Sequence, residues 1–119
     1  MRWRGFVVAL AALSTAACAA TVPVAVVTKA VPGGIMRGTN TVSLSEGSFT
    51  VSNGTLSCGG SYDPLDMSHT ITMTVLCNDG RKGIVIATRN AYGTGGGGTF
   101  TLNDGTTGDI IFGAAAGAL

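Results

Sequence analysis

Phe49-Thr50-Val51-Ser52-Asn53-Gly54-Thr55-Leu56-Ser57-Cys58 is the stretch that decides the fold. Read outward from Asn53-Gly54, the residues Phe49, Val51, Leu56 and Cys58 share one side, and Thr50, Ser52, Thr55 and Ser57 share the other. Alternation about an Asn-Gly pair is the pattern of two antiparallel strands with one face buried and the other wetted. A two-residue Asn-Gly loop pairs Val51 with Leu56 and Phe49 with Cys58. A helix would need apolar residues every three or four positions instead, and the chain beyond its first twenty residues offers no long window of that kind.

Two more turns follow, Asn78-Asp79-Gly80 and Asn103-Asp104-Gly105, and successive turn asparagines lie 25 residues apart. Equal spacing points to three related hairpins. In the third, a three-residue loop with Gly105 left-handed puts Phe100 and Leu102 on the face of Ile110 and Phe112. The middle hairpin begins with Ile71, Met73, Val75 and Cys77 facing in and Thr72 and Thr74 facing out. Its second strand holds the unbroken run Ile84-Val85-Ile86, which predicts a strand covered on both faces near the centre of the fold. The expected fold is all-β, an antiparallel meander of six to eight short strands in a small barrel or a sandwich. An N-terminal signal helix precedes it. The expected divisions are a cleaved signal over 1–18, a tether or first strand over 19–40, a β domain over 41–113 and a fraying tail over 114–119.

The signal reading rests on order. Arg2 and Arg4 come first, residues 6–13 form an uncharged apolar run, and small residues fill 14–20. That sequence of segments is what a secretory export apparatus reads. The apolar run is too short for a permanent membrane helix, which needs roughly twenty residues. Past it, Lys29, Arg37, Arg81, Lys82 and Arg89 face Glu46, Asp63, Asp66, Asp79, Asp104 and Asp109, a slightly acidic balance. A nucleic-acid surface calls for a basic stripe with interleaved aromatics. None is present, and nucleic acid is not an expected partner.

The cysteines are Cys18, Cys58 and Cys77. Cys18 follows Thr15, Ala16 and Ala17, a lipobox-like order in which the cysteine is acylated and becomes the new N-terminus. Thr15 stands where that motif usually has Leu, and ordinary cleavage after Ala19 or Ala20 is the alternative. Either way Cys58 and Cys77 remain as a pair, expected to join in an oxidising envelope compartment. Localisation is therefore expected in the bacterial cell envelope, anchored through lipidated Cys18 or periplasmic or secreted.

Chemistry-bearing motifs are sparse. Gly93-Thr94-Gly95-Gly96-Gly97-Gly98 fits the dinucleotide pattern, but that pattern needs a following helix, and Thr99-Phe100-Thr101-Leu102 reads as a strand. The Asn-Asp-Gly turns supply one carboxylate each, too few for calcium's six to eight oxygens. Arg81-Lys82, the adjacent basic pair, reads as solvated charge beside a turn. Carbohydrate stacking has little to work with, since Trp3 leaves with the signal and only Tyr62 and Tyr92 remain. Residues 61–70 form the most function-like segment, with Tyr62, Asp63, Asp66 and the sole histidine, His69, as a candidate interaction loop. No nucleophile or second histidine joins them. No enzyme activity, cofactor or metal is expected.

Cys58-Gly59-Gly60-Ser61-Tyr62, followed by Cys77-Asn78-Asp79-Gly80-Arg81-Lys82-Gly83, a glycine-rich hairpin and Phe112-Gly113, resembles small uncharacterised bacterial envelope lipoproteins. The resemblance covers about half the chain and implies a fold and an envelope location, not an activity. It leaves two expectations. One is a non-enzymatic structural or binding module for a protein or cell-wall partner. The other is an inhibitor of a secreted enzyme such as lysozyme, inserting the 61–70 loop into a cleft.

Overall fold

The computed structural model describes residues 20–90 and 95–119. The signal segment with Cys18 lies outside these residues, as do Tyr92, Gly93 and Thr94. The described residues form eight strands: β1 (Ala20–Val27), β2 (Ile35–Val42), β3 (Gly47–Ser52), β4 (Ser57–Tyr62), β5 (Thr70–Cys77), β6 (Lys82–Arg89), β7 (Gly96–Leu102) and β8 (Thr107–Phe112). Each pairs antiparallel with its neighbours in sequence, and β1 pairs with β8 to close a barrel. This settles the choice between barrel and sandwich. Closure leaves no sheet edge to template aggregation. Residues 21–27, read as tether or strand, lie in β1. Pro23 sits just beyond the end of the β1–β8 ladder, which starts at Val24 opposite Phe112, so its missing N–H is not wanted there.

Alternation places the core. Val26, Met36, Val51, Val75, Val85 and Phe100 point inward and are wholly buried, and Cys58 and Cys77 bridge beside them. The middle hairpin's first strand behaves as its sequence implies, with Ile71, Val75 and Cys77 buried and Thr72 and Thr74 exposed. Its second strand corrects the expectation of a strand covered on both faces. Val85 alone of its run is buried, while Ile84 and Ile86 lie on the outer wall, 49% and 47% exposed. In a single-walled barrel the outward face has no second layer to cover it.

The turns lie at one end of the barrel. The third has the three-residue form, with Phe100 opposite Gly108 and Gly105 at φ +91°. The middle turn repeats it, Leu76 pairing Lys82 and Gly80 lying at φ +92°. The first departs from the expected two-residue Asn-Gly loop, because Val51 pairs with Cys58 and Phe49 with Gly60. Its tight pair is Gly54-Thr55. The Asn53 side chain folds over it and accepts hydrogen bonds from the Thr55 and Leu56 amides (3.1 and 2.8 Å). The slip is by two residues, an even number, and so the faces of Phe49, Val51 and Cys58 are unchanged.

Side chains lace these turns together. Asn78 accepts from the Ser57 amide and donates to the Thr55 carbonyl, joining the first turn to the second. Arg81 pairs with Asp79 (2.8 Å) and Asp104 (3.0 Å), joining the second to the third. It is thus a clasp, not a merely solvated charge. Hydrogen bonds from the Thr106 side chain first, then from the Thr106 amide and Arg81, hold the Asp104 carboxyl at about 2, below the ordinary 3.8. A depressed folded value means this carboxylate stabilises the fold above the ordinary range and loses that role as pH falls through it. Thermal midpoints of the native chain and of Asp104→Asn are expected to differ at neutral pH. They should converge as pH drops from 3.8 towards 2. A gap independent of pH would show that the clasp is not electrostatic.

Val31, from the β1–β2 connection, is buried over the turn end and belongs to the core cluster, with Leu56 packed against that cluster. The chain finishes with the one-turn helix α1 (Ala114–Gly117), which turns the last residues back on β1 and buries Ala116. Val31 and Leu56 thus close the turn end, whereas α1 lies at the opposite end beside the start of β1.

Candidate functional site at the barrel mouth

At the far end β1 begins, β8 ends, and residues 43–46, 63–69 and 90–95 connect β2 to β3, β4 to β5 and β6 to β7. Inward positions on the last turns of these strands are not filled by large side chains meeting at the axis. They surround a cavity of about 320 Å³. An eight-stranded barrel has an interior just wide enough either to be filled by side chains or to hold one small ligand. Here the turn-side half is filled and the mouth-side half is hollow.

The cavity wall is apolar, built from Val22, Val24, Phe49, Met73, Ile110 and Phe112. Its polar groups are few and already organised. The Asn40 amide donates to the Tyr62 hydroxyl (2.8 Å), and that hydroxyl lies 3.1 Å from the Asn40 carbonyl oxygen. Tyr62 can lean into the mouth because its cross-strand partner is Gly47. A Cβ there would lie 2.4 Å from the tyrosine ring. Gly47→Ala would therefore push the ring aside.

Arg89 completes the rim. Its guanidinium donates to the Asp66 carbonyl (2.6 Å) and to the Ser68 carbonyl, tying the β4–β5 connection down. The Arg89 carbonyl can only accept, so His69 donates to it through Nδ1 at 3.2 Å. Among the described residues no carboxylate lies within 4 Å of the Arg89 guanidinium. Arg89 thus lines the apolar cavity without a direct ion pair, and its charge reaches Asp66, whose carboxyl it helps to lower.

The loop expected to carry function divides. Tyr62 ends β4 and lines the cavity, whereas Asp63, Asp66 and His69 are exposed. Asp63 and Asp66 cap the amides of Leu65 and Ser68, both at 2.9 Å, which is turn chemistry. The Ser68 hydrogen bonds, side chain foremost, lower the Asp66 carboxyl below its ordinary range. Among the described residues no three His, Cys, Asp or Glu side chains gather as a metal site would require. Asn40, Met73 and Arg89 were not legible as site residues, because strand pairing alone brings them to one mouth.

Comparison with protein-family models, curated proteins and solved structures found no match to this chain. The class it defines is an eight-stranded up-and-down barrel sealed at one end and hollow at the other.

Proposed function

We propose that this protein is an exported, non-enzymatic envelope module whose barrel binds one small amphipathic ligand, with an apolar chain in the mouth and an anionic head at Arg89. The observation that carries the reading is the apolar cavity of about 320 Å³ with the Arg89 guanidinium in its lining. That volume lies at the low end of the roughly 300–1,000 Å³ typical of small-molecule sites, which are mostly apolar with a few placed polar groups. The Asn40 amide and the Tyr62 hydroxyl are already paired with each other, which lowers the cost of burying a hydrocarbon beside them.

Straight-chain fatty acids serve as probes. Each methylene entering the cavity adds about 0.8 kcal/mol, so two more carbons tighten binding roughly tenfold until the cavity is full. Ala87 lines the cavity from β6, and Ala87→Leu is expected to shorten the longest chain accepted. Ile86→Ala, on the outer wall, should leave the series unchanged. Competition against a fluorescent apolar dye measures this. Affinity independent of chain length, or unaffected by Ala87→Leu, would remove the reading.

A further inference from the structure

Large apolar side chains stand out at the mouth: Leu44 is 79% exposed, Leu65 68% and Met67 89%. They belong to neighbouring rim connections, 43–46 and 63–69, and are held outward by ordered turns. Ser43 closes its turn by hydrogen bonds with Glu46. Asp63 and Asp66 cap the turns that present Leu65 and Met67, and Arg89 fixes the carbonyls of Asp66 and Ser68. These side chains are among the most exposed apolar groups on the described surface. Ile84 and Ile86, half-exposed on the wall, each stand between two cross-strand threonines, and Leu76 stands between Gly59 and Lys82.

The chain also enters at this end. β1 starts at Ala20, so on the lipobox reading the acylated N-terminus is attached to the barrel at its mouth. Cys18 is two residues from Ala20, within about 7 Å of extended chain. Charge narrows the target further. The rim carries Glu46, Asp63 and Asp66 against Arg89, whereas Lys29, Arg37, Arg81 and Lys82 lie towards the sealed end. The net acidic rim disfavours an extended anionic surface, whereas a single anionic head inside the cavity meets Arg89 and none of the three rim carboxylates.

We infer that the barrel docks mouth-down on a zwitterionic lipid bilayer, with Leu44, Leu65 and Met67 entering the boundary between headgroups and acyl chains. Apolar side chains penetrating that boundary bind in proportion to the area they bury, and one acyl chain holds a protein only marginally without a second contact. The rim is that second contact. It also opens the cavity directly onto a layer of acyl chains, which deepens the ligand reading without depending on it.

The test uses the signal-processed chain with phosphatidylcholine vesicles carrying brominated acyl chains, which quench tryptophan at short range. Leu65→Trp and Met67→Trp are compared with Ile84→Trp, each then the sole tryptophan because Trp3 leaves with the signal. The substituted positions are all exposed, so folding is not at issue. Mouth-down docking predicts several-fold stronger quenching at 65 and 67 than at 84. Equal quenching, quenching confined to 84, or no quenching at the rim would overturn it. So would protection of the rim tryptophans by lysozyme in place of vesicles, which would favour the inhibitor reading. Chain-length-dependent fatty-acid binding without rim quenching would defeat the docking inference alone.

Discussion

Phe100→Ala is expected to lower the unfolding free energy by about 3–5 kcal/mol, the range for truncating a fully buried aromatic. Phe100 is 0% exposed at the centre of the barrel. On one side β7 pairs it with Val85, and on the other with Gly108. Neighbouring residues hang from closed strands and cannot collapse into the space. Domains of this size have about 5–15 kcal/mol in total, so much of the stability goes with one ring. The readout is the urea midpoint at unchanged slope. Ile84→Ala, half-exposed on the outer wall, should cost under about 1 kcal/mol. Comparable losses at the two positions would mean that the inward and outward faces of β6 and β7 have been assigned wrongly.

The second large effect is expected at Cys58 and Cys77. Their bond spans a sequence separation of 19 and joins a directly opposed pair of β4 and β5. Closing a loop of that length stabilises by about 3 kcal/mol in the chain-entropy model. Topology gives a further reason. The β4–β5 seam holds three residue pairs, against seven between β5 and β6, because the strands part beyond Gly60 towards the 63–69 connection. The bridge staples the shortest ladder in the barrel. The Cys58→Ser, Cys77→Ser double variant should unfold at clearly lower urea. In its native state, amide exchange should accelerate most at Gly59, Gly60 and Leu76. An unchanged midpoint would show that backbone pairing alone suffices at that seam.

The fold was legible because barrel strands obey a period of two and the turns carry local chemistry. Phe49, Val51 and Cys58 kept their faces even though the Asn53 side chain moved the first turn by one residue. Gly105 fixed the third register outright. Ile84 and Ile86 misled, since an apolar run looks alike whether a second layer covers it or solvent does. The site was legible in only one residue, Tyr62. Asn40, Met73 and Arg89 are ordinary strand residues, brought to one mouth by pairings between strands remote in sequence. No local motif could announce a cavity assembled that way. Arg81 was read as solvated because its partner Asp104 lies in a different turn, 23 residues on.

The claim on which the account rests is that the mouth half of the barrel is a ligand site. Amide and methyl chemical-shift mapping during titration with a medium-chain fatty acid tests it most directly. Saturable shifts are expected to concentrate on Val22, Val24, Phe49, Met73 and Ile110, with the Arg89 guanidinium signal moving in parallel and the turn-end core signals of Val51 and Val85 still. No saturable shifts, or shifts spread over the outer wall at Ile84 and Ile86, would contradict it.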